Sequence, residues 1–282
     1  MAGLSTKAIK NRIKSMHSTR QITNAMELVA ASKLRSAQQK ALSTRYYFET
    51  LYEAMQDIAG ATASFVSPFL RGTDAKKPLY VVIAGDRGLA GGYNSNVFRT
   101  CSVIPKGCKV FPIGKRSLEY FAKRDYEVVS TNYIEAAAVE AGDCFSIANL
   151  LAEGFLAGDY DSIYIVYTKF NSILSQTPQI MQLLPFVLEK REDKKPSSSM
   201  LYEPNEEELF NSIVPEYIGG VLFGALCESI ASEQAARRQA MNSATKNADE
   251  IIDNLNLAFN RARQGAITQE ITEIVAGSNA LD

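Results

Sequence analysis

EYIGGVLFGALCESIASEQAARRQAMNSATKNADEIIDNLNLAFNRARQGAITQEITEIVAG, Glu216–Gly277, follows the last proline of the chain and contains none itself. Proline removes a backbone donor and clashes with the preceding turn, so so long an exclusion is what one very long helix needs. At 1.5 Å per residue it would reach roughly 90 Å, about three times the diameter of a small domain. Such a helix cannot bury itself in its own globule and has to project into something else. The other end of the chain repeats the pattern. All nine prolines lie between Pro68 and Pro215, and Ser5–Ala59 holds neither proline nor glycine.

Both ends carry a stripe of apolar or small residues in steps of three and four. In the first it runs Ile9, Ile13, Met16, Thr23, Met26, Ala30, Ala37, Ala41, Phe48, Leu51, Met55 and Ile58, with Ser5 or Thr6 as N-cap. In the last it runs Ile218, Leu222, Ala225, Ser229, Ser232, Ala236, Ala240, Ala244, Asn247, Ile251, Leu255, Ala258 and Ala262, with Pro215 in the first turn. The centre of each stripe is Ala, Ser and Thr, which lets two helix axes come close. The expected arrangement is a long antiparallel two-helix coiled coil. Its seam holds too few Leu and Ile for a free-standing zipper, so other chains are expected to supply part of its surroundings.

Between the helices the pattern changes. Leu79–Ala84 and Lys109–Gly114 are short apolar runs meeting glycines and read as buried strands. Helical segments are predicted at Arg116–Arg124 and at Ala136–Leu156, the latter closed by Gly158; further strands are predicted at Tyr126–Ser130 and Ser162–Thr168. Gln179–Leu188 reads as an edge strand, where Pro185 is tolerated. Strands alternating with helices predict a Rossmann-like α/β domain with a mostly parallel sheet. The expected division is therefore an N-terminal helix over 1–67, a central α/β domain over 68–215 with an exposed loop near 189–204, and a C-terminal helix over 216–282.

The whole chain of 282 residues has a formal net charge of −1, which argues against a generally nucleic-acid-binding protein. The charge is not evenly spread: up to Phe48 nine Lys and Arg face the single acid Glu27. The four cysteines form no CxxC and His17 is the only histidine, so neither a metal site nor a disulfide scaffold is expected. No run of 18 apolar residues and no apolar signal core appear, and a cytosolic protein is expected.

GDRGLAGG, Gly85–Gly92, stands between a strand and a helix and could cradle a phosphate. Its spacing is not G-x-G-x-x-G, Walker A is absent, and a tight strand-to-helix turn used for packing or contact accounts for it better. Gly114-Lys115-Arg116 is a weaker echo with the same alternatives. No nucleophile with a nearby base stands out; His17 and the run Glu206–Glu208 read as solvated. The basic first helix is either a solvated face or a contact with an acidic surface. In Ala231–Leu281 polar residues go all round the cylinder, so that helix is solvent-bridging or gripped from several sides.

On IKNRIKSMHSTRQITNAMELVAASKLRSAQ (Ile9–Gln38), DRGLAGGYNSNV (Asp86–Val97) and the C-terminal run, the chain closely resembles the gamma subunit family of rotary F-type ATP synthases. The resemblance implies a non-catalytic central-stalk rotor. Its helix pair would turn inside a ring of alpha and beta subunits, and its α/β domain would lie against the epsilon subunit and the membrane c-ring. It implies no cofactor and no bound metal, and attachment to the cytoplasmic face of a bacterial membrane only through the complex. Residue by residue, it implies beta-subunit contacts at Met26, Arg237, Arg263, Gln264, Thr268, Glu270 and Glu273, and a c-ring or epsilon contact at Glu203 in LYEP. The competing reading is a Rossmann-like nucleotide-dependent enzyme with helical extensions; a third is a coiled-coil adaptor or nucleic-acid-binding arm.

Overall fold

A computed structural model describes residues 6–60, 66–70, 76–130, 134–188, 203 and 205–279. The first helix, α1, spans Thr6–Gly60, and the last, α5, spans Glu206–Asn279. The chain divides into two compact units, Met1–Ala30 with Arg238–Asp282, and Ala31–Arg237.

In the first unit the two helices run antiparallel. Arg20 pairs with Asp249, the Thr23 and Thr245 hydroxyls meet at 2.7 Å, and Asn242 Nδ2 donates to Glu27 Oε1 at 3.2 Å, so partner numbers fall as α1 advances. Ile9, Thr23, Ala30, Met241, Ala248 and Ile252 are the buried seam. The Thr23 and Thr245 hydroxyls that meet in the seam each also reach a carbonyl of their own helix, Arg20 at 3.0 Å and Met241 at 2.9 Å, so neither is left without a partner there. Ile22, Leu28, Val29, Leu257, Ile271 and Ile274 stay exposed on the outside.

The second unit is built on a five-stranded sheet in the order β3-β2-β1-β4-β5. These strands are β1 (Pro78–Ile83), β2 (Lys109–Ile113), β3 (Glu127–Val128), β4 (Ser162–Phe170) and β5 (Gln176–Leu184). β1 pairs parallel with β2 and β4, β2 pairs parallel with β3, and β5 returns antiparallel along β4. Helices α2 (Tyr93–Thr100), α3 (Lys115–Phe121) and α4 (Ala141–Ala157) complete the layers. Alternation decides which side chain goes where. Leu79, Val81 and Ile83 share one face with Ile147 and Leu151 of α4, Ile218 and Leu222 of α5, and Met55 and Ile58 of α1. Val82, Val110 and Val166 face the other way, onto Tyr93 and Val97 of α2 and Phe121 of α3. A smaller cluster of Leu34, Ala37, Ala231 and Ala235 joins α1 to α5, so the small-residue seam is also the contact in this unit.

Three expectations are revised. The last helix begins at Glu206, and Pro215 lies inside it instead of in its first turn. Asn205 explains the early start: its Oδ1 accepts the Glu208 N–H at 2.8 Å while its Nδ2 donates to Glu208 Oε1 at 2.9 Å, closing the first turn. The helix predicted from Ala136 begins at Ala141, because Glu140 and Asp143 form a reciprocal capping box there, and it ends, as expected, at Gly158 in the left-handed conformation. The edge strand stops at Leu184, one residue short of Pro185. Most of the expected loop near 189–204 lies outside the described residues. By length and composition α5 contains a window apolar enough to cross a membrane, but 56% of that window is buried, as in the core helix of a folded domain.

Candidate functional site: the glycine loop, its α5 partner, and the exposed helix faces

β1 and β4 lie side by side, and the chain leaves them in opposite directions: β1 leads to β2 on one side, while β4 leads to β5 on the other. In doubly wound sheets the crevice beyond the carboxyl ends of two such strands is where ligands bind. The β1–β4 ladder ends at Val82↔Val166, and the glycine loop Gly85–Gly92 follows at once. This is the position a phosphate cradle would occupy.

Side chains of α5 fill it. The Thr168 N–H donates to Ser229 Oγ at 3.1 Å, and Ser232 Oγ donates to the Thr168 carbonyl at 3.2 Å. Pro178 stands opposite Thr168 on β5 and has no N–H of its own to offer. Arg237 Nη2 donates to Glu233 Oε1 at 2.5 Å and to the Gly88 carbonyl at 3.2 Å. A Cβ on Gly85 would lie 2.9 Å from the Glu233 carboxyl carbon, so any side chain there would push the carboxylate aside. Asn94 Oδ1 accepts the Gly85 N–H at 2.9 Å. Residues 229, 232, 233 and 237 recur at helical spacing, so one face of α5 supplies all four.

The electrostatics follow from that burial. Glu233 is 7% exposed and Arg237 9%. Burial raises the Glu233 carboxyl above its ordinary range; Arg237 and Lys33 pull it back, and Asp86 adds to the rise. Burial likewise pushes the Tyr93 hydroxyl up, with the Glu233 charge next in size. Asp86, the acid of the loop, looks inward too: its Oδ1 accepts the Lys115 N–H at 3.0 Å and the Ala136 N–H at 3.3 Å, and its Oδ2 accepts the Ala137 N–H at 3.3 Å. It therefore ties the end of β1 to the start of α3 and the approach to α4. Gly114 sits directly beneath this knot, at φ +91, and opens α3. The Gly85 N–H and carbonyl, the Asp86 carboxylate and the Gly88 carbonyl are used by the chain itself, so the loop serves as a packing and hydrogen-bonding turn, and nothing in this arrangement supports the nucleotide-dependent enzyme.

The residues expected to meet partners fall into two groups. Arg263, Gln264, Thr268, Glu270 and Glu273 are exposed on α5, and Met26 is half-buried on α1. Thr268 Oγ1 donates back to the Gln264 carbonyl at 2.9 Å, and Gln269 Nε2 donates to Glu273 Oε1 at 2.9 Å, so part of this face is ordered by its own helix. Glu203 is exposed. Arg237 differs from all of these, because its guanidinium is committed to Glu233 and Gly88. Glu233 was not singled out from the sequence; its signal was the Glu-to-Arg spacing of four beside Ser229 and Ser232 on the small-residue stripe.

The ATP synthase family model matches residues 5–281. The ATP synthase gamma chain of Ruminococcus albus is 45% identical over 280 residues, covering 96% of this chain and 97% of its own length. The chain belongs to the ATP synthase gamma-chain family. Another member, the sodium ion specific ATP synthase gamma chain of Acetobacterium woodii, is 40% identical over 97% of this chain and 98% of its own. Among solved structures, a chain of the Euglena gracilis mitochondrial ATP synthase, in an assembly of OSCP, F1 and c-ring, shares the fold at TM-score 0.68 and 20% identity, covering 98% of this chain and 94% of its own. A chain of the central stalk and c-ring of the Tetrahymena thermophila mitochondrial enzyme shares it at TM-score 0.56 and 22% identity, covering 79% and 99%.

Proposed function

We propose that this gamma chain is the central-stalk rotor of an F-type ATP synthase. It couples ion-driven turning of a c-ring to the conformational cycle of catalytic beta subunits and catalyses nothing alone. The observation that carries the reading is the near-complete match to chains named ATP synthase gamma chain, 45% identical in the case of Ruminococcus albus. The exposed apolar residues on both helices of the first unit support it, since Ile22, Leu28, Val29, Ile271 and Ile274 leave a two-helix pair wetter than its composition favours and suit a surrounding sleeve.

Met26, Arg263, Gln264, Thr268, Glu270 and Glu273 are the proposed beta-facing residues. Arg and Gln hydrogen-bond carboxylates and amides and release them without uncovering apolar area, which suits a grip made and broken every turn. Arg237 keeps its place in that set with little free surface to offer. Glu203 is the proposed contact with the c-ring or the epsilon subunit. The rotor reading also keeps the division into two terminal helices around a central α/β domain, with the last helix opening at Glu206 instead of 216, and implies a cytoplasmic position at a bacterial membrane held through the complex. Rotation biases the beta sites only if each angle presents different contacts.

Co-expression with alpha and beta subunits tests this. One gamma chain per hexamer, with ATP hydrolysis that depends on it, is the expected result. Gln264→Leu should lower ATP synthesis in reconstituted vesicles by roughly tenfold, the scale of one lost charge-assisted hydrogen bond, with the thermal midpoint of the free chain unchanged. Hydrolysis indifferent to the gamma chain would overturn the assignment.

A further inference from the structure

The crevice beyond β1 and β4 is filled from within, and its filling joins three parts of the second unit. Ser229 and Ser232 take both backbone groups of Thr168 on β4, Glu233 rests on Gly85 at the end of β1, and Arg237 closes over Gly88. Elsewhere α5 meets the sheet through Leu222, Ala225 and Leu226, apolar contacts that tolerate small slips. Hydrogen bonds to fixed backbone groups do not. A slide of one residue along α5 is 1.5 Å with a turn of about 100°, enough to break all three hydrogen bonds to β4 and the loop together and to lift Glu233 off Gly85. The Glu233–Arg237 pair lies within α5 and moves with it; its part is to hold the guanidinium toward the Gly88 carbonyl, the contact that crosses to the loop.

We propose that the 229–237 turn of α5 is a register lock, in which Glu233 and Arg237 are positioning residues that set the axial and rotational placement of α5 on the α/β sheet. The lock acts on whatever force the sheet receives: load applied there enters α5 at this turn instead of being lost as slippage along an apolar face. This role rests on the rotor reading, but the lock itself is a property of the free chain and is testable without partners.

Gly85→Ala is the discriminating variant, because it lies outside the proposed beta-facing set and its methyl would displace the Glu233 carboxylate. In the full-length chain, hydrogen exchange across 225–240 and at Thr168 should accelerate by about tenfold. Combining it with Glu233→Asp, which shortens the side chain by one methylene and keeps the charge, should return exchange most of the way to wild type. Additive losses in the double variant would overturn the lock. In complexes with alpha, beta and c-ring in vesicles, Gly85→Ala should leave ATP hydrolysis near wild type while ion pumping per ATP is at least halved, followed with a pH-sensitive dye and with radioactive sodium in parallel. Glu233→Asp should again restore it. A purely structural role would lower assembly without changing pumping per ATP in the complexes that form, and that result would overturn the part assigned to the lock in passing load to α5. Should the wild-type chain itself fail to support gamma-dependent hydrolysis, the rotor reading falls while the exchange result still decides the lock.

Discussion

Glu233 shows how much one side chain's meaning depends on what folds over it. In sequence it is an ordinary helix acid four residues before an arginine. In the structure it is buried beneath the glycine loop, with Arg237, Lys33, Asp86 and Tyr93 as its charged or titratable neighbours. Its carboxyl is raised by burial against the pull of Arg237. A raised acid binds its proton more tightly folded than unfolded, so the native state is favoured on acidification toward the ordinary carboxylate range and loses that increment as pH rises through the folded value. Wild type should therefore gain stability relative to Glu233→Gln as pH falls from neutral toward the ordinary carboxylate range, read as the gap between urea midpoints. A gap moving the other way would mean that Arg237 attracts Glu233 by more than burial costs it.

At the level of elements, α5 illustrates a boundary set by a cap instead of by a proline. Pro215 marked the start in the sequence because proline suits a first turn, yet the Asn205–Glu208 cap outweighs it and carries the helix through. The proline leaves the Asn211 carbonyl without its intrahelical donor, a local cost offset by Phe210, Val214 and Ile218, each completely buried in the larger core. Asn205→Ala should destabilise the chain by about 1 kcal/mol, measured by urea denaturation. It should also speed hydrogen exchange over Glu206–Phe210 well before it affects Ala225 onward. No change in either would mean that the cap is incidental and that packing alone sets the boundary.

Across the molecule, the four cysteines report on the two faces of the sheet. Cys101 is buried with Val97 and Phe121 on one face, Cys144 is buried with Ile147 and Leu151 on the other, and Cys227 is buried on α5. Burial pushes the Cys101 and Cys144 thiols up to about 12 and Cys227 to about 11. Cys108 is half-buried and raised less. Thiolate is the reactive form, so at about pH 8 a disulfide reagent should label Cys108 first, and the other three only as fast as their surroundings open. Equal rates at Cys101 and Cys144 would show the two faces opening as one; prompt labelling of all four in the native chain would contradict the packing described.

Proline exclusion, the alternating strand runs and the paired small-residue stripes were enough to establish two long terminal helices around a Rossmann-like layer, because those patterns are local and repeat. The motif stretches were enough to mark the family. What only tertiary structure decided is the fate of the polar residues on that stripe. Helical spacing says that Ser229, Ser232, Glu233 and Arg237 share a face, but it cannot say that the face meets the ends of β1 and β4, more than sixty residues away in the case of Thr168 and Ser229. Contacts between elements so distant in sequence leave no periodic trace in either one, and so the glycine loop read as an open question until α5 was seen lying in it.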